Sequence, residues 1–393
     1  MNQKKGCCLQ KKPNQPKKIH IAVLGLRGIP DIQGGVEKHC QELYPRLVKN
    51  NFDVTIIARN CYVGPHPYEC KGIQVLPIWA PRKKSLEAIC NTAAGLAWLA
   101  LHRKEYDVLH VHAIGPSLLI PFAKLLGFPV VVTNHGADYL RKKWGKVARI
   151  MLRLGEYLGT KHSNSIIAVS RHIKKLLSKK YKTHSIYIPN GVNIPIFQSA
   201  GQKLKSFNLE PQRYFLAVGR LVPEKGFHDL LEAYTKLETD WKLALVGEAD
   251  HEDTYSKELK KQAQEINGVV MTGFQKGKAL AELFSNAGLF ILPSYHEGLP
   301  IVALEAMSYN LPMLISDIPA NKEVALPEEI FTVGDIKALT GRLKKFLENP
   351  IFLRSQELLA KKRKRLETEF NWDCIAQEVG KIYSSLAKNS NNK

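Results

Sequence analysis

The chain has 393 residues, 45% of them hydrophobic, and 57 Lys and Arg against 36 Asp and Glu give a net charge of +21. That length exceeds one ordinary core and suits two α/β domains, and the apolar content argues against disorder anywhere but the ends. No window offers about twenty uninterrupted apolar residues; 114–132 comes closest and is broken by Pro116, Lys124 and Pro129, which argues against a membrane-spanning helix.

The first twenty residues hold six lysines and no apolar stretch, so they do not read as a secretory signal. Seven cysteines, at 7, 8, 40, 61, 70, 90 and 374, show no C-x2-C spacing, which fits reduced thiols and a cytosolic protein. The charge is uneven. Residues 1–195 carry 31 Lys and Arg against 10 Asp and Glu, whereas residues 196–393 carry 26 of each. A nucleic acid, an anionic membrane surface or an acidic substrate would each account for a basic first half.

Residues 1–18, with six lysines among Pro, Asn and Gln, read as a disordered basic arm. Ile19 to Leu24 is a buried strand, followed by the glycine-rich turn GLRGIPDIQGG and a helix beginning near Gly35. Strand, glycine turn and helix make the first unit of a doubly wound sheet, in which Gly34 and Gly35 let a ligand approach the backbone. The G-x-G-x-x-G dinucleotide spacing is absent, and the next strand, Val54 to Ala58, ends before Arg59 and not before an acid.

Helix and strand units then alternate: strand Ile73 to Pro77, helix Ser85 to Arg103, strand Asp107 to His112, strand Val130 to Thr133. His135 follows the last of these, at a strand's carboxyl end, where ligands bind in open parallel sheets. Arg141, Lys142, Lys143, Lys146, Arg149 and Arg153 alternate with apolar residues at helical spacing, the pattern of a basic amphipathic surface helix able to lie on an anionic leaflet. A solvated helix face explains the same pattern. Strands Ser165 to Ser170 and Ile186 to Pro189 complete a first domain over residues 19–195.

The second domain, residues 196–370, starts the architecture afresh. Strand Tyr214 to Val218 leads into Gly219-Arg220-Leu-Val-Pro-Glu-Lys225-Gly226, where an arginine fork and a lysine point charge could together neutralise a diphosphate. Strand Val269 to Thr272 leads into Gly273-Phe274-Gln275. The apolar run Gly288 to Pro293 and the helix Pro300 to Tyr309 enclose the turn Ser294 to Leu299, so Gly298 and Leu299 sit at a helix N-terminus suited to phosphate. Glu297 precedes that helix and Glu305 lies about a turn and a half inside it. Carboxylates beside a phosphate make sense when they meet hydroxyl donors, which a sugar nucleotide offers at both ends. Residues 371–388 read as a closing helix and 389–393 as a tail.

Glu297-Gly-Leu-Pro-Ile-Val-Ala-Leu-Glu305 resembles the E-x7-E motif of the retaining family-four glycosyltransferases, and three further elements resemble that family in the same order: the Gly34-Gly35-Val turn, the His135-Gly motif and Gly219-Arg220-x4-Lys225-Gly. The resemblance implies a GT-B fold: two Rossmann-like domains facing a cleft, with the last helix crossing back to the first. It implies a nucleotide-sugar donor on the second domain, near Phe274, Gly298, Leu299 and Glu305, and an acceptor on the first. It also implies that Glu297, His135, Arg220 and Lys225 act at the reacting centre, with no cofactor. No D-x-D triplet occurs, which leaves metal-dependent GT-A chemistry unsupported and predicts no metal site. With the basic first half, the expected acceptor is a lipid-linked envelope glycan and the expected location the inner face of the cytoplasmic membrane. Two alternatives stand beside this: a GT-B sugar-nucleotide epimerase, and a non-catalytic nucleic-acid binder. The second lacks any accompanying zinc, helix-turn-helix or RNP-type pattern.

Overall fold

The computed structural model describes residues 18–82, 86–141, 144–353 and 355–391. The lysine arm up to residue 17, together with Lys142 and Lys143, lies outside the described residues. Lys18, the arm's last residue, pairs with Asp53 at 3.3 Å.

The first sheet has eight strands: β1 (Ile19–Leu24), β2 (Phe52–Arg59), β3 (Tyr68–Cys70), β4 (Ile73–Ile78), β5 (Val108–His112), β6 (Val130–Asn134), β7 (Ser165–Ala168) and β8 (Ile186–Tyr187). Their spatial order is β3-β4-β2-β1-β5-β6-β7-β8, parallel throughout except for the β3–β4 pair. The second sheet contains β9 (Tyr214–Val218), β10 (Lys242–Val246), β11 (Val269–Gly273), β12 (Leu289–Leu292), β13 (Met313–Ser316) and β14 (Ile330–Phe331), ordered β11-β10-β9-β12-β13-β14. This is the doubly wound order, in which the chain reverses direction across the sheet beside its first strand and opens a crevice there. The reversal falls between β1 and β5 in one sheet and between β9 and β12 in the other. The fold is GT-B.

The strands are near-continuous apolar runs because helices cover both faces; Ile21 to Leu24 and Leu289 to Leu292 are fully buried. One apolar cluster joins Ile173 and Leu177 of the first unit to Leu304, Met307 and Phe370 of the second. The two units therefore share buried surface behind the cleft. The closing helix, Trp372–Asn391, lays Trp372, Ile375, Val379 and Tyr383 into the first sheet's core. Two chain segments link the units side by side, with the Val192 N–H donating to the Phe370 carbonyl at 2.8 Å.

Several elements differ from the sequence reading. The antiparallel edge strand β3 was not foreseen; its three residues are too short for a periodicity signal. The helix Lys146–His162 starts beyond Arg141, which instead precedes it in a turn. Arg141 is thus not part of a membrane-facing helix.

Candidate active site

The two crevices face each other and form one cavity of about 750 Å³, lined from the second unit by Gly219, Arg220, Lys225, Phe274, Glu297, Gly298, Leu299 and Glu305, and from the first by Gly34, Gly35, His135 and Arg141. All the expected donor-site residues are therefore brought together. Lys146, expected to serve a membrane or the acceptor, does not line the cavity and is exposed at the start of its helix.

Glu297 leaves β12 through the turn and accepts from the Lys225 ammonium at 2.6 Å and the Ser294 hydroxyl at 2.7 Å. Burial opposes its charge, but Lys225 and Ser294 outweigh burial and hold its carboxyl below the usual range. Glu305 behaves oppositely. Burial raises its pKa, and Lys38 of the first unit, 3.5 Å away, offsets this only in part.

Arg220 is held by Asp250, which accepts from its Nη1 at 2.6 Å. The other Asp250 oxygen pairs with Arg27 of the first unit at 2.8 Å, and Arg27 Nε donates to Glu37 at 3.1 Å. Burial works against the Asp250 charge, yet the two guanidinium groups pull its pKa down to about 2. Across the cleft Arg141 donates from Nη2 to Asp138 at 2.8 Å and lies 3.8 Å from Glu224, a pair bridging the units. Arg141, expected to serve a membrane or the acceptor, faces the cleft because these two carboxylates draw it inward.

His135 shares a hydrogen bond of 2.9 Å between its Nε2 and His112 Nδ1, and His112 Nε2 shares another of 2.6 Å with the Tyr44 hydroxyl. Burial keeps both imidazoles neutral, with pKa values well below 6.5, and the neighbouring histidines add to the effect. His39 Nδ1 meets the Asn190 side-chain oxygen at 2.9 Å, and the Asn190 amide donates to the Leu299 carbonyl at 2.8 Å. Asn190, in the linker, thereby ties the first unit's histidines to the turn that carries Glu297. Nitrogens of His39, His112 and His135 lie within 4.8 Å of one another, the group among the described residues with metal-ligand composition. His112 Nδ1 and His135 Nε2 already share a hydrogen bond.

Gly298 packs against the His135-Gly136 turn: a Cβ at Gly298 would lie 1.9 Å from the His135 carbonyl oxygen. Only glycine lets the two crevices approach this closely. Arg27, Lys38, Asn190 and Asp250 went unread in the sequence. For Asp250, the acidic cluster Glu248 to Asp253 just after a strand was a usable signal.

Two facing doubly wound sheets, with a cationic anion cradle and a glutamate at each end of the E-x7-E segment, define a GT-B glycosyltransferase. Residues 201–368 match the family Glycosyl transferases group 1, and residues 33–194 match Glycosyltransferase Family 4. The matches cover the two units in turn, and the chain belongs to the group 1, family-four glycosyltransferases. It is 26% identical over 394 residues to MJ1607, an uncharacterized glycosyltransferase of Methanocaldococcus jannaschii, covering 93% of this chain and 98% of that one. A processive diacylglycerol alpha-glucosyltransferase of Acholeplasma laidlawii is 26% identical over 250 residues, 61% of this chain and 72% of that one. Among solved structures, Anabaena Alr3699/HepE in complex with UDP-glucose superposes with a TM-score of 0.77 at 18% identity, over 93% of this chain and 100% of the other, which shows the shared fold.

Proposed function

We propose that the protein is a retaining, metal-independent hexosyltransferase that moves a sugar from a nucleoside diphosphate sugar to a lipid-linked acceptor glycan. It would work at the inner face of the cytoplasmic membrane in envelope polysaccharide or lipopolysaccharide synthesis. The observation that carries the reading is the convergence of Arg220, Lys225, Glu297 and the Gly298–Leu299 helix end at the second sheet's crevice.

Arg220 and Lys225 supply positive charge where a diphosphate leaves, and the unpaired N–H groups at the helix start add to it. Asp250 must give up Arg220 to the phosphate, a like-for-like exchange of one anion for another. Glu297, kept ionised by Lys225, accepts hydroxyls of the transferred sugar, and Glu305 accepts those of the ribose. Neutral His135 can offer a hydrogen bond near the reacting carbon without adding charge. The acceptor hydroxyl attacks on the face the diphosphate leaves; its oxygen forms the new bond to the anomeric carbon, and its proton passes to the departing phosphate oxygen. Closure of the cleft limits hydrolysis of the donor.

The membrane part of the reading rests on the helix Lys146–His162. Its solvent side bears Val147, Ile150, Leu154 and Tyr157, with Val147 72% and Ile150 65% exposed. Lys146, Arg153 and Lys161 flank this stripe, and Phe122 and Leu125 are exposed on the neighbouring helix. Apolar residues edged by cations suit an anionic bilayer. The relative from Acholeplasma laidlawii is, by its name, a glucosyltransferase acting on diacylglycerol.

Chromatography of products from UDP- and GDP-sugars, with and without an envelope lipid extract, tests the reaction class. The reading expects sugar transferred to lipid only when extract is present. A new sugar nucleotide formed from donor alone would identify an epimerase instead.

A further inference from the structure

One stretch of the first unit's cleft wall, beside the charged Arg27, Lys38 and Arg141, is apolar, which no nucleotide sugar explains. Beyond His135 the wall is built by Ile89, Pro116, Leu118, Trp144, Met151 and Leu152. These come from the helix Glu87–Leu101, the turn after β5, the helix Lys146–His162 and, for Trp144, the segment just before that helix. At about 100° per residue, Met151 and Val147 lie between the cleft-lining Leu152 and the exposed Ile150 and Leu154 on the same helix. Cleft wall and solvent-exposed stripe are therefore one continuous apolar surface, and Val147 and Met151 belong to both.

A second observation lies where the apolar wall meets the donor cradle. Glu224 is 7% exposed and neither carboxylate oxygen accepts a hydrogen bond; Arg141 Nε, beside it, donates none. Both residues line the cavity. Their mutual ion pair at 3.8 Å is too long for a hydrogen bond, and buried polar atoms without hydrogen bonds are costly, so the pair is suited to a ligand that brings both an anionic oxygen and a hydroxyl.

We propose that this apolar stretch of the cleft wall is a groove for the hydrocarbon chain of an amphiphilic acceptor. The chain enters from the bilayer along the Val147–Met151 side of the helix. The phosphate next to the chain meets Arg141, and a sugar hydroxyl donates to Glu224 close to the reacting centre. This rests on the glycosyltransferase reading above and adds to it the acceptor's chemical class: a lipid whose phosphate adjoins its hydrocarbon. A soluble oligosaccharide would leave the apolar wall facing water.

Farnesyl phosphate, a soluble amphiphile, and inorganic phosphate serve as probes by calorimetry on the full-length protein saturated with UDP and, separately, GDP. The groove predicts that farnesyl phosphate binds at least about tenfold tighter than phosphate. Met151→Asp and the milder Leu152→Ala should erode that preference, whereas Arg141→Gln should weaken both probes. Ile150→Asp and Leu154→Asp, on the outer side of the same helix, should leave farnesyl phosphate binding unchanged. Equal affinity for the two probes, or a preference untouched by Met151→Asp, would overturn the groove. So would loss of farnesyl phosphate binding on Arg220→Ala with none on Arg141→Gln, because the probe would then occupy the donor cradle. Donor consumption by the same preparations with envelope lipid extract added separates the two readings: consumption without hydrocarbon preference removes the groove alone, and no consumption of any UDP- or GDP-sugar removes the glycosyltransferase reading with it.

Discussion

At the residue scale, the site is a set of charges already paired with one another. Lys225 is shared with Glu297, Arg220 with Asp250, and Lys38 with Glu305, so a donor exchanges partners without having to meet bare charge. The histidines add a pH signature. Burial depresses His39 to about 4 and His110 to about 3, and holds His112 and His135 well below 6.5. A histidine whose folded pKa is depressed stabilises the protein fully above its unfolded value and loses that contribution as pH falls through the folded one. Glu305, raised by burial, has the opposite sign but is a single group. Thermal unfolding followed by circular dichroism should therefore give a melting temperature that is level from pH 7.5 to about 6.5 and falls steadily toward pH 4, at most about 1.4 kcal/mol per histidine per unit. A melting temperature that held or rose on acidification would contradict buried, neutral imidazoles.

At the element scale, what was legible in the sequence was whatever a local pattern carries. The apolar runs of β1, β9 and β12, the glycine turns after them and the E-x7-E spacing placed Gly34, Gly219, Lys225 and Glu297 at strand ends. Partnerships across hundreds of positions carried no such pattern. Arg27 meets Asp250, Lys38 meets Glu305 and Asn190 meets Leu299 only because the two sheets face each other, and the His39–Asn190 bond joins distant parts of the first unit. The helical placement of Arg141 was misread for the same reason: its spacing with Lys146 and Arg149 pointed outward, while Asp138 and Glu224 draw it into the cleft. The contact of Gly298 with the His135 carbonyl gives an element-scale prediction. Gly298→Ala should fold with unchanged circular dichroism, widen the cleft in small-angle scattering and lower kcat/KM about a hundredfold, since a displacement near 1 Å suffices for that. Wild-type turnover would mean that the two turns do not need this approach.

At the scale of the whole molecule, the charge asymmetry and the exposed apolar stripe lie on the same half. Among the described residues no helix is long and apolar enough to cross a membrane, so any attachment through them would lie along the surface. Co-sedimentation with vesicles tests this. Binding should require anionic lipid, weaken as salt rises, and fall about a hundredfold when Lys146, Arg153 and Lys161 become glutamine, each cation contributing about 1 kcal/mol. Equal binding to neutral vesicles, or none at low salt, would assign the charge another purpose. The central claim, that the cleft between the sheets transfers sugar from a nucleotide donor, is tested most directly by turnover of the donor that the product screen selects. Glu297→Ala, Lys225→Ala and Arg220→Ala should each lower kcat about a hundredfold or more while the melting temperature stays within a few degrees of wild type. Wild-type turnover in all three would contradict the account.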